Sequence, residues 1–182
     1  MTNVANILSQ NQTVAWKPQE GPQTRFITCP ALEVLFGGAV GGGKTDALLG
    51  DWVTGAEEFP GIWHGLFFRR HHNDMINVIR RSQEIFGAVY GSKCYNSTKQ
   101  TWTLPNGSTL RFTVMEKDDD IYKFQGDQPT WVAFDELTQW ASPHHYLYMF
   151  SRCRSAHGAQ VRFRSATNPG GPGHQWVKSR FI

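Results

Sequence analysis

Short apolar runs alternate along the chain with longer segments whose apolar residues recur at helical spacing. Residues 32–36 form an apolar, β-prone run, and the glycines after it lead into a predicted helix over about 44–57. A second unit repeats this order, with a strand at 66–68 and an amphipathic helix after it. That helix places four apolar residues near one face: Met75, Ile76, Ile79 and Phe86.

The segment 101–114 has a different pattern, in which apolar and polar residues alternate on both sides of a turn. Trp102 and Leu104 alternate with polar residues, and residues 105–108, Pro-Asn-Gly-Ser, have the composition of a turn. Alternation then resumes, so the segment predicts a β-hairpin. The acidic, glycine-containing residues 115–128 predict a loop.

A third apolar run, residues 131–134, ends at the carboxylates Asp135 and Glu136. We expect a helix over 143–150 and a fourth strand over 161–166. Strands that alternate with helices predict an α/β fold with a mostly parallel central sheet flanked by helices, and with the hairpin as an insertion. The ligand of such a sheet lies at the carboxyl ends of its strands.

The chain length favours a single domain over residues 1–182. Hydrophobic residues make up 40% and charged residues 18%, which indicates a folded protein and not a disordered one. The first 24 residues are polar and interrupted by Pro18, Gly21 and Pro22, so we expect a leader that packs onto the domain. The net charge of +3 permits contact with nucleic acid but does not indicate a dedicated binder.

Neither a disulfide framework nor a membrane anchor is indicated. Cys29, Cys94 and Cys153 are odd in number and form no CxxC pair, which favours reduced thiols in a cytosolic compartment. No stretch approaches the roughly 18 consecutive apolar residues of a membrane span, and the polar first residues do not form a signal peptide. We therefore expect a soluble protein that is not secreted and does not bind a membrane.

The glycine-rich loop after the first strand carries the strongest chemical signal. It is a complete Walker A sequence: Gly38, Ala39, Val40, Gly41, Gly42, Gly43, Lys44 and Thr45. Its glycines allow the backbone to approach phosphate closely, Lys44 can reach the β and γ phosphates of ATP, and the Thr45 hydroxyl is placed to bind Mg²⁺. A strand before the loop and a helix after it supply the context that this motif requires.

A carboxylate from a neighbouring strand must complete the metal site, and Asp135 at the end of the third strand fits that role. Glu136 follows it directly and is placed to polarise the attacking water, so one residue binds metal and the other is the general base. Together the two motifs predict a P-loop NTPase of the ASCE or RecA-like type. The acidic run 118–120 follows no apolar strand and is better explained as a solvated loop.

P-loop enzymes often use an arginine to stabilise charge in the transition state. Four arginines are candidates from the residues alone: Arg69, Arg70, Arg152 and Arg154. Arg152 and Arg154 follow the helix after Walker B, and either could reach the nucleotide of a neighbouring subunit, although ordinary surface charge explains them equally well. The adjacent histidine pairs 71–72 and 144–145 do not favour a metal site, because neighbouring side chains diverge.

The order of motifs supplies a more specific indication. It runs from PQTRF at 22–26 through the Walker A loop and FRR at 68–70 to FQGDQPTWVAFDELTQW at 124–140, and on to RSATNPGGPGHQWVKSRFI at 164–182. This combination resembles the ATPase domain of the large terminase subunit, the DNA-packaging motor of tailed bacteriophages. The resemblance covers nearly the whole chain.

The resemblance implies further roles. Gln23 would lie in the adenine-recognition segment, residues 165–167 would form a coupling motif whose Thr167 senses the γ phosphate, and Asn168 would begin a loop able to rearrange. ATP and Mg²⁺ would be the cofactors. The partners would be double-stranded DNA, a portal protein and a small terminase subunit. Copies of the chain would form a homo-oligomeric ring on the procapsid in the host cytoplasm.

Two departures from the family pattern concern positive charge. Many terminases carry an arginine inside the Walker A loop, whereas residues 39–42 contain none. In some relatives a basic residue before the FQG-type segment acts on a neighbouring subunit, but that residue here is Lys123, which lacks the bidentate fork of arginine. Family members also continue into a nuclease domain, and these 182 residues contain no such region, so we expect no nuclease activity from them.

Three functions therefore compete at the level of sequence. The first is ATP hydrolysis that drives viral DNA into a procapsid. The second is another nucleic-acid P-loop ATPase, such as a helicase, although helicase motifs are not evident after Walker B. The third is a nucleotide-dependent binding module that hydrolyses ATP slowly.

Overall fold

A computed structural model describes residues 7–8 and 14–182. The strands are β1 (Ile7–Leu8), β2 (Val14–Trp16), β3 (Glu33–Gly37), β4 (His64–Arg69), β5 (Tyr95–Asn96), β6 (Thr101–Thr103), β7 (Thr109–Val114), β8 (Trp131–Asp135) and β9 (Arg162–Thr167). The α-helices are α1 (Pro22–Thr28), α2 (Lys44–Glu58), α3 (His72–Tyr90), α4 (His144–Arg152) and α5 (His174–Phe181). Short 3-10 helices span Ser92–Cys94, Asp118–Phe124 and Leu137–Gln139.

The main sheet has seven strands in the order β3-β9-β8-β4-β7-β6-β5. The first five are mutually parallel, and β6 and β5 continue the sheet in antiparallel pairing. Strand β9 lies between the strand that precedes the glycine-rich loop and the strand that ends at Asp135. The predicted α/β class with a mostly parallel central sheet is confirmed.

Helices cover both faces of this sheet. Helices α1, α2 and α3 pack on one face around Phe67, Phe112 and Trp131. Helices α4 and α5 pack on the other face, together with the 3-10 helix Asp118–Phe124, around Phe68 and Phe134. Successive side chains along a strand point to opposite faces of the sheet, so Phe67 and Phe68 pack in different cores.

The predicted hairpin is confirmed and is continuous with the main sheet. Strand β6 pairs antiparallel with β7, with Trp102 opposite Leu110. Strand β7 pairs in parallel with the whole of β4, from His64 beside Thr109 to Arg69 beside Val114. The hairpin is therefore part of the central sheet, because its second strand, β7, is one of the five parallel strands.

Two details of the predicted elements are wrong. Ile76 does not share the buried face of α3, since it is 53% exposed whereas Met75 and Phe86 are fully buried. Ile76 is rotated by about 100° from Met75 on a helix of 3.6 residues per turn, which carries it out of the stripe. Residues 115–128 are also not a loop throughout, because they contain a seven-residue 3-10 helix in which the Asp120 carboxylate accepts hydrogen bonds from two backbone N–H groups.

The polar leader packs against the helix that follows the glycine-rich loop. Trp16 in β2 lies against Gly50, where an added Cβ would approach the indole ring to 2.4 Å, so only glycine admits the ring. Helix α1 buries Phe26 and Ile27 in the same core. Residues 1–6 and 9–13 of the predicted leader lie outside the described residues.

None of the helices in the described residues is both long and apolar enough to cross a membrane. Cys29, Cys94 and Cys153 are all free thiols. Burial raises the pKa of the Cys153 thiol to about 12, so this cysteine is a weak nucleophile at neutral pH.

Candidate nucleotide-binding site

The carboxyl ends of four adjacent parallel strands form one edge of the sheet, and the residues with polar chemistry meet there. Strand β3 leads into the glycine-rich loop, β9 ends at Thr167, β8 ends at Asp135 and β4 ends at Arg69. Because the strands are parallel and adjacent, residues that are far apart in the chain, such as Gly37 and Thr167, converge at this edge.

The glycine-rich loop has the backbone that only glycine adopts readily. The φ angles are 148° at Gly38, 84° at Gly41 and 63° at Gly43, all in the region that disfavours a side chain. Helix α2 begins directly afterwards at Lys44 and is 15 residues long. Its first N–H groups and the positive end of its dipole therefore face the loop, an arrangement suited to phosphate.

Lys44 lies over the loop with most of its surface buried. Its Nζ donates to the carbonyl oxygen of Ala39 at 2.6 Å and to that of Gly38 at 3.2 Å, and only 8% of the residue is exposed. A buried ammonium needs anionic or carbonyl partners to offset its desolvation. The side chain therefore places one positive charge beside the loop.

Gln23 contacts the loop from α1. Its Nε2 donates to the Gly43 carbonyl at 2.8 Å, and its Oε1 accepts from the Gln19 backbone N–H at 2.7 Å. A Cβ on Gly43 would lie 2.2 Å from the Gln23 amide, so this contact depends on glycine. Gln19, Gln23, Phe36 and the loop line a cavity of about 420 Å³.

Thr45 and Asp135 come into direct contact although they are 90 residues apart. The Thr45 hydroxyl donates to Asp135 Oδ2 at 2.8 Å, and Asp135 is 1% exposed. Two oxygens at adjacent positions of an octahedral Mg²⁺ site lie about 2.9 Å apart, and Mg²⁺ commonly uses one or two carboxylates together with substrate phosphates. The donor set and its spacing therefore fit Mg²⁺.

Arg69 is the second partner of the same carboxylate oxygen. Its Nη2 donates to Asp135 Oδ2 at 2.6 Å and its Nε at 3.0 Å, while Asp135 Oδ1 accepts from the Glu136 backbone N–H at 3.1 Å. The Arg69 side chain is 14% exposed. A partly buried cation therefore balances the charge of Asp135.

Glu136 is held in an unusual backbone conformation beside this pair. Its φ of 56° lies in the left-handed region, which a non-glycine residue rarely adopts. Its carboxylate accepts from Asn168 Nδ2, at 3.2 Å to Oε2 and 3.4 Å to Oε1. Burial raises the pKa of Glu136 and the charge of Asp135 raises it further, against the opposing influence of Arg69 and Lys44.

Thr167 joins this group through a short chain of hydroxyl groups. Its Oγ1 lies 2.8 Å from Thr138 Oγ1 and accepts from the Thr138 backbone N–H at 3.2 Å. Thr138 belongs to the 3-10 helix that starts directly after Glu136. The end of β9 is therefore linked by hydrogen bonds to the segment that follows the two acidic residues.

Comparison with protein families tests the resemblance to large terminases that the motifs indicated. The family model described as "Terminase large subunit, T4likevirus-type, N-terminal" matches residues 35–178. The chain belongs to this large-terminase family. Among curated protein sequences none gives a significant match.

Solved phage terminases share the fold of this terminase chain. A large terminase from a thermophilic bacteriophage superposes with a TM-score of 0.70 at 16% identity and covers 91% of this chain and 42% of its own. The bacteriophage HK97 large terminase gives 0.69 at 12%, with 97% and 40% covered. The ATPase domain of the Thermus phage P74-26 large terminase gives 0.59 at 15%, with 86% and 66% covered. The chain thus spans about two fifths of the two large terminases.

Three basic residues that the sequence offered as catalytic candidates for a neighbouring subunit lie away from the nucleotide site of their own chain. The Arg154 backbone N–H bonds Pro129 just before β8, at the amino edge of the sheet, and Arg152 donates to the Gln125 carbonyl at 2.6 Å. Helix α4 leads back from the carboxyl edge, so its last turn lies far from the loop. Lys123 is 66% exposed and pairs with Asp120 at 2.7 Å. None of them contacts the site of its own chain, and their action on a neighbouring subunit stays a prediction.

Sequence reasoning missed a buried ionic cluster behind the site. Asp51 of α2 and Arg164 of β9 are both fully buried, with Arg164 Nε 3.3 Å from Asp51 Oδ1. Trp131 Nε1 donates to Asp51 Oδ2 at 2.6 Å, which adds β8 to the cluster. Opposite charges inside a predicted helix and a predicted strand were the available signal. Arg69 was one of four arginine candidates, and nothing in the sequence distinguished it.

Proposed function

We propose that this chain hydrolyses ATP to power translocation of double-stranded DNA into a viral procapsid, as the ATPase part of a large terminase. One observation carries the proposal: the Thr45 hydroxyl of the glycine-rich loop lies 2.8 Å from Asp135, and Glu136 is the next residue. Family membership and the ADP complex of the thermophilic phage large terminase give further support.

In this proposal the loop binds the triphosphate of ATP. The backbone N–H groups of the loop and of the first turn of α2 donate to phosphate oxygens, and Lys44 turns from the loop carbonyls to the β and γ phosphates. Gln23, which lines the cavity beside the loop, is the proposed contact to adenine. Thr45 and Asp135 would hold Mg²⁺, which when bound would neutralise charge on the phosphates.

Glu136 is the proposed general base, and Asn168 orients it. The carboxylate accepts a proton from the attacking water, which requires that it be ionised. Asn168 donates to both of its oxygens, which stabilises the ionised form and restricts its rotation. Its left-handed backbone places the side chain at the end of β8 and not along the strand.

Thr167 is the proposed sensor that couples hydrolysis to movement. Its hydroxyl forms a hydrogen bond with Thr138, which lies two residues after Glu136. A change at the phosphate would therefore pass from Glu136 to Thr138 and from Thr138 to Thr167 in β9. Asn168 adds a direct contact from the same strand end to Glu136. The residues after it, 169–171, include glycines with φ of 94° and 84° and form the loop that would rearrange.

The proposed partners follow from the family. They are double-stranded DNA, a portal protein and a small terminase subunit, with several copies of the chain in a ring in the host cytoplasm. We further propose that residues 1–182 act as one ATPase domain.

The test replaces Glu136 by Gln, which keeps the shape of the side chain and removes its basicity. We expect single-turnover hydrolysis to fall by about 10²-fold or more, with ATP affinity within about threefold of wild type. The matched control is Glu84→Gln on the exposed side of α3, where the side chain is 55% exposed and hydrolysis should not change. Hydrolysis at the wild-type rate by Glu136→Gln would disprove the general base.

A second measurement addresses movement. Packaging of DNA into portal-bearing procapsids should stop in Glu136→Gln and persist in Glu84→Gln when full-length protein carries each substitution. ATP turnover that is unaffected by DNA and procapsids, with packaging equal in both variants, would refute the translocation role.

A further inference from the structure

We propose that Arg69 binds the γ phosphate of a nucleoside triphosphate in its own chain. Without nucleotide, Arg69 pairs with Asp135. When a divalent cation binds Asp135, the arginine turns from this carboxylate to the γ phosphate. This inference rests on the proposed ATPase function and gives a role to Arg69 of the FRR segment at 68–70, to which the resemblance assigned none. Arg69 would supply a second cation beside Lys44, since residues 39–42 contain no arginine.

The crowding at one carboxylate oxygen is the first observation. Asp135 Oδ2 accepts from the Thr45 hydroxyl, from Arg69 Nε and from Arg69 Nη2, at 2.8, 3.0 and 2.6 Å. A carboxylate oxygen has about two lone-pair sites, so these three donors already use its full capacity. A Mg²⁺ ion bound to Oδ2 and to Thr45 would take the place of the Thr45 donor, and its charge would repel the guanidinium and loosen the Arg69 contact.

The position of Arg69 determines where the displaced group goes. Arg69 is the last residue of β4, beside β8, so it lies at the same edge as the loop. Lys44 follows the glycine-rich loop at this edge, so both cations lie at the carboxyl edge of the sheet. Rotation of the Arg69 side chain away from Asp135 would then carry the guanidinium toward a phosphate held by the loop.

Charge balance gives the reason for the exchange. Mg²⁺ leaves a net charge of about −2 on bound ATP, and the loop from Gly38 to Thr45 contains a single cation, Lys44. The fork that donates Nε and Nη2 to a carboxylate suits two oxygens of a phosphate equally well. The cation and the arginine therefore exchange partners without leaving a charge unpaired.

The other arginines considered do not offer this arrangement within the chain. Arg152 and the backbone of Arg154 bond residues near the amino edge of the sheet. Arg70 follows Arg69 but points elsewhere, since its Nη1 donates to the Gln139 carbonyl at 3.2 Å. Arg70 is therefore the matched control for Arg69.

The experiment compares nucleotide binding by the full chain with Arg69→Gln, Arg69→Lys and Arg70→Gln. Equilibrium affinities for a fluorescent ATP analogue that resists hydrolysis and for fluorescent ADP are measured by anisotropy with saturating Mg²⁺. We expect Arg69→Gln to weaken ATP binding by about 10-fold or more and ADP binding by less than about threefold. Arg69→Lys should lie between, and Arg70→Gln should match wild type.

A Mg²⁺ titration at fixed ADP tests the exchange itself. Because ADP has no γ phosphate to receive Arg69, the cation must compete with the arginine for Asp135. We expect the Mg²⁺ concentration for half-maximal ADP binding to fall by about threefold or more in Arg69→Gln. A purely structural arginine would leave this concentration unchanged or raise it.

Equal loss of ATP and ADP affinity, with the Mg²⁺ midpoint unchanged, would overturn the inference while leaving the proposed function intact. Absence of nucleotide binding in the wild-type chain would overturn both. Thermal unfolding of each variant identifies a folding defect. If Arg69→Gln does not fold, Arg69→Lys takes its place in the test. An Arg69→Lys variant that discriminates between ATP and ADP as the wild type does, with an unchanged Mg²⁺ midpoint, rejects the inference.

Discussion

At the scale of single residues, the site depends on how neighbouring charges adjust Glu136. Burial and Asp135 raise its pKa, while Arg69 and Lys44 lower it, and the net shift is upward. A general base works only when ionised, so hydrolysis is lost as the pH falls through this raised pKa. The two cations that bind phosphate in our proposal also keep the base ionised.

The first prediction concerns this pH dependence. The acid limb of single-turnover hydrolysis should lie above the ordinary glutamate pKa of about 4.3. Arg69→Gln removes a charge that lowers the pKa, so the limb should move to higher pH in that variant. Rates measured from about pH 4.5 to 8 at saturating nucleotide, with Arg70→Gln as control, check both statements. A limb at the ordinary value, or one that Arg69→Gln does not move, would contradict them.

At the scale of elements, the buried pair Asp51–Arg164 connects the helix after the loop to β9. Arg164 also donates to the backbone carbonyls of Cys29, Ala31 and Leu32, between α1 and β3. One side chain thus joins α1, α2 and two strands whose ends form the site. Removing Asp51 leaves Arg164 buried without an anionic partner, whereas removing Arg164 leaves Asp51 with Arg162 Nη1 at 3.6 Å.

The second prediction is that Asp51→Leu lowers the free energy of unfolding by about 3–5 kcal/mol, and that Arg164→Met lowers it by less because Asp51 keeps Arg162 as a partner. The double variant should lose less than the sum, because the second change removes the unpaired charge left by the first. Urea unfolding gives all three values. The exposed pair Arg81–Glu84, with side chains 40% and 55% exposed, is the comparison and should contribute less than about 1 kcal/mol. Additive losses in the buried pair would argue against coupling.

At the scale of the whole molecule, the nucleotide site and a second cavity lie at opposite edges of the sheet. The loop, Asp135 and Thr167 lie at the carboxyl edge, whereas a cavity of about 580 Å³, lined in part by His64, Lys99 and Arg111, opens near the amino ends of β4 and β7. A ligand of the first edge should stabilise the entire fold, because α2 and four strands meet there.

The third prediction follows from this linkage. Saturation with Mg²⁺ and the ATP analogue at about 100 times the dissociation constant should stabilise the fold by about 2.7 kcal/mol, which corresponds to a rise in Tm of about 5–10 °C. Lys44→Ala should abolish the rise, whereas Lys99→Ala, at the opposite cavity, should preserve it. Thermal unfolding with and without nucleotide measures the shift. An equal rise in Lys44→Ala would contradict the assignment of the loop.

The sequence was sufficient for features that depend on near neighbours in the chain. The loop 38–45, helix α2 after it and the hairpin turn at 105–108 follow from local backbone preferences, since glycine permits positive φ and apolar spacing selects helix or strand. The parallel α/β fold also followed, because strands that alternate with helices leave few other arrangements. Asp135 and Glu136 were identifiable as the end of an apolar strand.

Only the tertiary structure decided which charged residues meet. The order β3-β9-β8-β4 brings Arg69 to Asp135 and Asn168 to Glu136, whereas α4 carries Arg152 away to the amino edge. Strand order results from packing between segments that are distant in the chain, and charged side chains show no periodicity that reveals it. The sequence by itself therefore determined the phosphate-binding loop and the class of fold, and the packing of the sheet determined the partners of each charge.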